Sequence, residues 1–474
     1  METKVLIIGA GPSGLATAFE LNKAGMPFIV VEKAPVVGGL ARTLTYGDFR
    51  TDIGPHRFFS KNKYLYDLIS GLLGEHWIKV DRLTRFHVRG RYLLYPVQLK
   101  DALINIGVFR GMRMLADYGY QRLRSLFVDT GSPRNFEEKV VSDFGRSLAE
   151  LNMLNYTEKI WGLPCSEISP DWATQRIKNL SVVEVIKKTL IKGKDSPKTL
   201  VDQFYYPDSG TGLIYERIRA AIEGGRTGAL KLNTSPSKVE HDGAQVLQVH
   251  LKDGNGDEYA VRPENLVSSM PVTELLPLFD PPPPAEVLAA AGRLKFRSHV
   301  ALFLTVNKST VFPDQWVYFP DSGIPFGRIM EPRNFSRTLA PEGKTSLMIE
   351  FFCWFGDEIW HADKEHLVSA SLAYLSKIGL LGEKDLIDSF VHREKHAYPV
   401  YDLGYKANLG AVKDYFKRFR NLQLIGRAGS FRYNNQDHAL EMGILAARNV
   451  LEGASYSIDD VGAEQEYFEK GNIK

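Results

Sequence analysis

Cysteine is almost absent from this 474-residue chain: Cys165 and Cys353 are the only two, far apart and in no CxxC pair. A disulfide framework and a thiolate zinc site are thereby excluded, and a reducing compartment is the expected setting. Charge of one sign is lacking too. Lys and Arg number 59 against 56 Asp and Glu, a net +3, which excludes the broad basic surface that binds nucleic acid nonspecifically. No apolar run approaches the roughly 18 residues of a membrane-spanning helix. No GxxxxGK[ST] phosphate loop, HExxH or GxSxG occurs, and His361, His366, His392 and His396 share no ligand spacing with a third partner, so no metal is assigned. With 44% hydrophobic and 24% charged residues the chain reads as globular. Its length suits about three domains, or two with insertions. Met1–Lys4 runs straight into the apolar Val5–Ile8, too short for a signal-peptide core. A cytoplasmic protein is expected, with contact to a membrane surface left open.

Val5–Ile8 is a continuous apolar run, the pattern of a parallel strand buried on both faces. It leads into Gly9-Ala10-Gly11-Pro12-Ser13-Gly14, a GxGxxG turn, and then into helical spacing from Leu15 to Ala24. Phe28–Val31 forms a second strand that ends at Glu32. This is a complete dinucleotide-binding βαβ unit. Gly9 makes the tight turn, Gly11 admits a pyrophosphate, and Gly14 lets helix and strand approach. The free N–H groups at the helix start favour phosphate, and Glu32 can accept from ribose hydroxyls. The doublet Gly38-Gly39, followed by Leu40-Ala41-Arg42-Thr43, resembles the one after the second strand of two-dinucleotide-domain flavoproteins. The expected cofactor is therefore FAD.

The rest divides by pattern. Residues 1–80, 205–275 and 397–455 are expected to build a discontinuous FAD-binding domain. Residues 81–204 are expected to be a helical cap on the substrate side, and 276–396 an antiparallel-sheet substrate domain. The tail 456–474 is expected to be loosely held. Within the cap, Leu99–Phe127 mixes large apolar residues with Arg110, Arg113, Arg122 and Arg124. It reads as an ordinary helix with a solvated basic face, an interfacial amphipathic helix being the alternative.

Four further segments carry a resemblance to the superfamily of amine oxidases and protoporphyrinogen oxidases, and within it to the UDP-galactopyranose mutases. They are Gly54–Phe59 with His56, Tyr156–Gly162 with Trp161, Pro325–Glu331 with Arg328, and Gly426–Asp437 with Arg427 and Tyr433. The resemblance spans Val5 to Val450 and implies an α/β fold. It implies that Gly9, Gly11, Gly14, Glu32, Gly39, Arg42, Gly426, Arg427 and Asp437 hold noncovalent FAD. It further implies that Tyr156, Trp161, Arg176, Arg328, Tyr433 and Asn435 line the substrate pocket, with His56, Arg176, Arg328 and Tyr433 at the chemistry. Two arginine forks suit a diphosphate, and aromatic faces suit a nucleobase. Taken singly, Trp161 reads as core and Arg176 as a solvated charge, and Arg328 could form a structural ion pair with Glu331. Their joint occurrence at the family spacing favours a site.

The chain departs from the mutase pattern at Phe59, where a second histidine is usual, and at Asn435, where an acid is usual. Two functions follow. One is ring-size isomerisation of a nucleotide sugar by covalent catalysis at reduced flavin. The other is net hydride removal from another substrate. NAD(P)H is admitted as an external reductant and homo-oligomerisation is left open.

Overall fold

Strands Glu2–Ile8 and Phe28–Val31 lie side by side and parallel, with helix Pro12–Lys23 between them in sequence. The computed structural model in which they lie describes residues 1–60, 62–95, 105, 107–127, 131–176 and 203–462. The parallel core of the first sheet runs Leu422–Leu424, Glu258–Ser268, Glu2–Ile8, Phe28–Val31, Gly228–Lys231. Val5, Leu6, Ile7, Val30, Leu266 and Val267 are fully buried, as the continuous apolar runs require. Strand Glu258–Ser268 does double duty. Its first half pairs antiparallel with Val246–Lys252, which pairs with Ser235–His241, while its second half joins the parallel core. Helix Gln436–Glu452 packs on Pro12–Lys23, with Thr17 Oγ1 donating to the Gly443 carbonyl at 3.0 Å.

The second sheet has seven strands in the order Leu386–Pro399, Phe296–Val306, Thr345–Cys353, Arg328–Met330, Trp316–Tyr318, Thr84–Val88, Arg91–Leu94. All neighbours are antiparallel except Trp316–Tyr318 beside Thr84–Val88. The last two strands correct an expectation, since they lie inside 81–204, the stretch read as helical. The cause is local. Arg89 and Gly90 both have positive φ, 51° and 78°, the backbone of a two-residue hairpin turn. Phe86, Val88 and Leu93 then meet in one small cluster. Strands Trp77–Asp81 and Gln203–Pro207 pair with each other at the two ends of the same stretch. Helices Val108–Phe127, Phe136–Phe144, Leu154–Trp161 and Pro170–Arg176 occupy its middle. Residues 96–104 and 177–202 lie outside the described residues, and so does 463–474 of the tail. The described part of the tail is tied down: Tyr456 N donates to Asn449 Oδ1 at 2.7 Å.

Candidate active site at the seam of the two sheets

The turn after the first strand is built around close approach. Gly9 has φ +98°, and a Cβ on Gly14 would lie 1.9 Å from the Gly9 carbonyl oxygen, so a side chain at Gly14 would push the helix off the strand. Gly11 caps the helix with extended backbone and no side-chain bond. A Cβ placed on Gly11 would meet only the Gly39 Cα, at 3.9 Å. A glycine-walled slot therefore fronts the N-terminus of helix Pro12–Lys23, where unpaired N–H groups and the helix dipole favour phosphate. Glu32 locks the rim: Oε2 accepts from Ala10 N at 2.8 Å and Oε1 from Ala34 N at 2.9 Å. These bonds fix the carboxylate and leave it further lone pairs for a ribose hydroxyl. Gly38 N donates to the Ala10 carbonyl at 2.8 Å, bringing the glycine doublet onto the turn. The set fits a dinucleotide.

Arg42 spans the two sheets. It donates to the Gly39 carbonyl at 2.7 Å and to Glu394 Oε1 at 2.5 Å. Arg427 does the same from the C-terminal segment. Nε and Nη2 donate to the Asn434 carbonyl at 3.1 and 2.6 Å, and Nη1 to the Ala397 carbonyl at 3.1 Å. Its guanidinium lies 5.1 Å from the ring centres of both Tyr398 and Tyr433. Gly426, just before it, turns with φ +72° against Ser13. Asp437 sits fully buried in the first turn of helix Gln436–Glu452, with Oδ2 unpartnered. Burial pushes its carboxyl well above the usual range.

Arg328 is paired, but not with Glu331. Its Nε and Nη2 donate to Glu350 Oε1 and Oε2, both at 2.6 Å, across adjacent strands. Glu331 instead accepts from the Val311 and Phe312 N–H groups and from Thr345 Oγ1. The alternative of a structural Arg328–Glu331 pair fails because residues three apart in this segment face different neighbours. His299 Nε2 completes the cluster at 3.0 Å from Glu350 Oε2. Although burial opposes it, the Arg328 charge and the His299 bond hold Glu350 down at about 2. The backbone of Gly54 passes directly over this pair: a Cβ there would lie 3.3 Å from Glu350 and 3.4 Å from Arg328. His56 follows two residues later, half-buried, with its Nδ1 buried and unpartnered. Burial, then Arg427 and Arg328, lower it to about 3, so it is a neutral imidazole.

Aromatic rings connect these cations. Tyr156 stands edge-on to Tyr318 at 5.2 Å, and Arg328 lies 5.9 Å from the Tyr318 ring centre. The Tyr156 hydroxyl is buried and unpartnered. Tyr398 stacks on Tyr433 at 5.7 Å, and Trp161 meets Tyr433, Tyr398 and Trp172 edge-on. Trp161 belongs to the main core cluster, yet its Nε1 lacks a partner. Thus His56, Tyr156, Trp161, Arg328, Arg427 and Tyr433 are joined through shared neighbours. Asn435 stands at the start of helix Gln436–Glu452, its N–H donating to His438 Nδ1 at 3.2 Å. Arg176 ends helix Pro170–Arg176, and its side chain lies outside the described residues.

Glu350, His299, Tyr318 and Tyr398 escaped the sequence reading. Glu350 had a signal: it is the one charge in the buried strand Thr345–Cys353, and a buried charge needs a partner. Lys159 also escaped. Its ammonium donates to the carbonyl oxygens of Phe319, Asp321, Ile324 and Phe326 at 2.5–3.1 Å, pinning the loop between Tyr318 and Arg328. Among the described residues no His/Cys/Asp/Glu group could hold a metal ion, and no helix is long and apolar enough to cross a membrane.

The sequence model of the family described as flavin containing amine oxidoreductase matches residues 12–451. The coproporphyrinogen III oxidase of Bacillus subtilis (strain 168) is 23% identical over 447 residues, covering 86% of this chain and 90% of that protein. A probable UDP-galactopyranose mutase of Klebsiella pneumoniae is 26% identical over 174 residues, 35% of this chain and 42% of that protein. Among solved structures, a reduced UDP-galactopyranose mutase superposes with a TM-score of 0.83 at 25% identity, covering 98% of both chains.

Proposed function

The chain belongs to the family of flavin-containing amine oxidoreductases and is an FAD-dependent enzyme, and we propose that its substrate is a nucleotide-diphosphate sugar whose ring it isomerises. The observation that carries this reading is the convergence of Arg328 and Arg427 on neutral His56, inside a ring of Tyr156, Tyr318, Tyr398 and Tyr433. The likeness to a mutase over 98% of both chains supports it.

Gly9, Gly11, Gly14 and Gly39 form the slot for the FAD pyrophosphate, and Glu32 takes a ribose. Arg42, Gly426, Arg427 and Asp437 position the flavin end. When bound and reduced, FAD supplies an electron-rich nitrogen able to act as a nucleophile towards an anomeric carbon. The protein residues bind and orient. Arg328 and Arg176 hold the diphosphate as leaving group, Tyr433 donates its hydroxyl to a phosphate oxygen, and Tyr156 and Trp161 flank the base. Asn435 meets the substrate at the pocket edge. Neutral His56 donates or accepts a hydrogen bond beside the sugar without adding charge.

A second reading has its own support. The match to coproporphyrinogen III oxidase covers 86% of the chain, and Phe59 and Asn435 depart from the mutase pattern nearest the chemistry. On that reading the enzyme removes hydride from another anionic substrate, and the same arginines bind carboxylates. The deciding assay compares dithionite-reduced with oxidised enzyme on a panel of UDP- and dTDP-sugars. An isomerised product from reduced enzyme alone, with no net flavin oxidation, supports the mutase. Flavin reduction by substrate would replace it with the oxidoreductase. With the mutase outcome, NAD(P)H becomes testable as the external reductant that arms it.

A further inference from the structure

Helix Val108–Phe127 is about 30 Å long at ~1.5 Å per residue, and among the described residues its contacts with the protein lie along one side. Met114 packs against the cluster of Phe86, Val88, Leu93 and Leu151. Gly111 is buried, and Asp117 accepts from Ser147 N at 2.7 Å. Gly145 lies close under Asp117 and Tyr118: a Cβ there would sit 3.1 Å from each. The opposite side is apolar and exposed. Phe109 is 85% exposed, Met112 50%, Tyr120 62%, Leu123 59% and Phe127 84%. Their spacing, with exposed Ala116 filling the gap, sets all six in one file along the helix. Surface apolar side chains scattered singly need no explanation, but a continuous file does.

The charges along this helix choose the partner. It carries Arg110, Arg113, Arg122 and Arg124 and a single acid, Asp117, which is turned to the protein. By helical geometry Arg113 and Arg124 border the file. We propose that this helix seats the enzyme on an anionic lipid surface. Phe109, Met112, Tyr120, Leu123 and Phe127 enter the acyl boundary, while Arg113 and Arg124 meet headgroup phosphates. A large apolar stripe bordered by basic residues is the arrangement of helices that lie in a membrane interface. A second copy of the chain fits worse. A two-fold contact through the stripe would bring each copy's arginines against the other's, and interface cores are depleted of charge.

The inference stands apart from the proposed substrate and its test uses no turnover. Full-length, FAD-loaded protein is mixed with sucrose-loaded vesicles of phosphatidylcholine, with or without about one third phosphatidylglycerol, and the vesicles are sedimented. Wild type should pellet with the anionic vesicles, and salt of about 0.5 M should release much of it. Phe109→Glu with Leu123→Glu should lower the bound fraction at least about tenfold, and Arg113→Glu with Arg124→Glu should abolish the preference for anionic lipid. Flavin absorbance and melting temperature, unchanged, show that the variants fold. Wild type left in the supernatant with both vesicle types overturns the proposal. So does equal pelleting of wild type and the Phe109/Leu123 variant. A wild-type dimer that ignores vesicles and dissociates in that variant would assign the stripe to a second copy instead.

Discussion

Arg328→Ala separates the two roles this side chain can hold, because its partner is known. The Arg328 fork meets Glu350 at two contacts of 2.6 Å, and Glu350 is fully buried. Two unit charges about 4 Å apart at an effective dielectric near 20 interact by about 4 kcal/mol. Breaking a buried pair from one side typically costs about 3–5 kcal/mol. Arg328→Ala should therefore destabilise the protein by that order, and the bared Glu350 should also repel a phosphate. Glu350→Gln should destabilise similarly, yet it keeps a cation beside the pocket and should retain UDP binding. The double variant removes both charges. It should recover much of the stability lost by either single change while binding UDP at least about 30-fold more weakly than wild type. Thermal unfolding at saturating FAD gives the stability cycle, and UDP titration by flavin absorbance gives the affinities. If the double variant binds UDP like wild type, Arg328 is a structural partner of Glu350 and the diphosphate assignment falls.

Lys159→Met leaves four loop carbonyls without their ammonium and should cost about 2–4 kcal/mol; it should also weaken UDP binding, because that loop carries Tyr318 and Arg328. An unchanged melting temperature would show that the loop holds itself. Burial pushes Asp52 up to about 7 despite bonds from Thr43, Tyr206 and Thr211. The native chain thus keeps a proton that the unfolded chain loses near pH 4, so Asp52 lowers stability as pH rises from about 4 to 7. Asp52→Asn should flatten that slope, and parallel wild-type and variant melting profiles would refute the assignment. Heat or acid denaturation should release free FAD into the supernatant; flavin retained on the pellet would disprove noncovalent binding. Arg176→Ala should weaken UDP binding more than Arg328→Ala does when both are read by the same titration.

The nucleotide half of the fold was legible because its signals are local. A continuous apolar strand, three glycines, a helix and a terminal Glu32 lie within one short stretch, and each residue's requirement is met by its sequence neighbours. Glu32 itself was placed correctly at the strand end, and the structure adds that it also braces the turn through Ala10 and Ala34. The substrate half depends on pairings between distant strands. Arg328 reads as a partner of nearby Glu331, but it lies across the sheet from Glu350, and register of that kind is not written in either segment alone. The hairpin Thr84–Leu94 was missed for a related reason: its turn uses Arg89 at positive φ, a conformation that the Arg-Gly pair signals far less strongly than Asn-Gly.

The charge inventory of the pocket limits what it can bind. Arg42 is neutralised by Glu394 and Arg328 by Glu350, and His56 is uncharged. Arg427 is held by the carbonyl oxygens of Asn434 and Ala397, so its full charge remains. Of these four groups Arg427 alone keeps an uncompensated charge, too little by itself for a diphosphate bearing about two negative charges in a desolvated site. On the proposed reading further charge would come from the helical cap. Helix Pro170–Arg176 brings Trp172 against Tyr433 at 5.0 Å and ends at Arg176, which puts a second guanidinium on the element that already walls the pocket. In the proposed arrangement the neutralised pair of Arg328 and Glu350 would supply direction, a fixed fork beside Tyr318, and Arg176 charge, while Arg427 stays at the flavin end. On the proposed reading a diphosphate would be oriented by the Arg328 fork and would draw on Arg176 for charge.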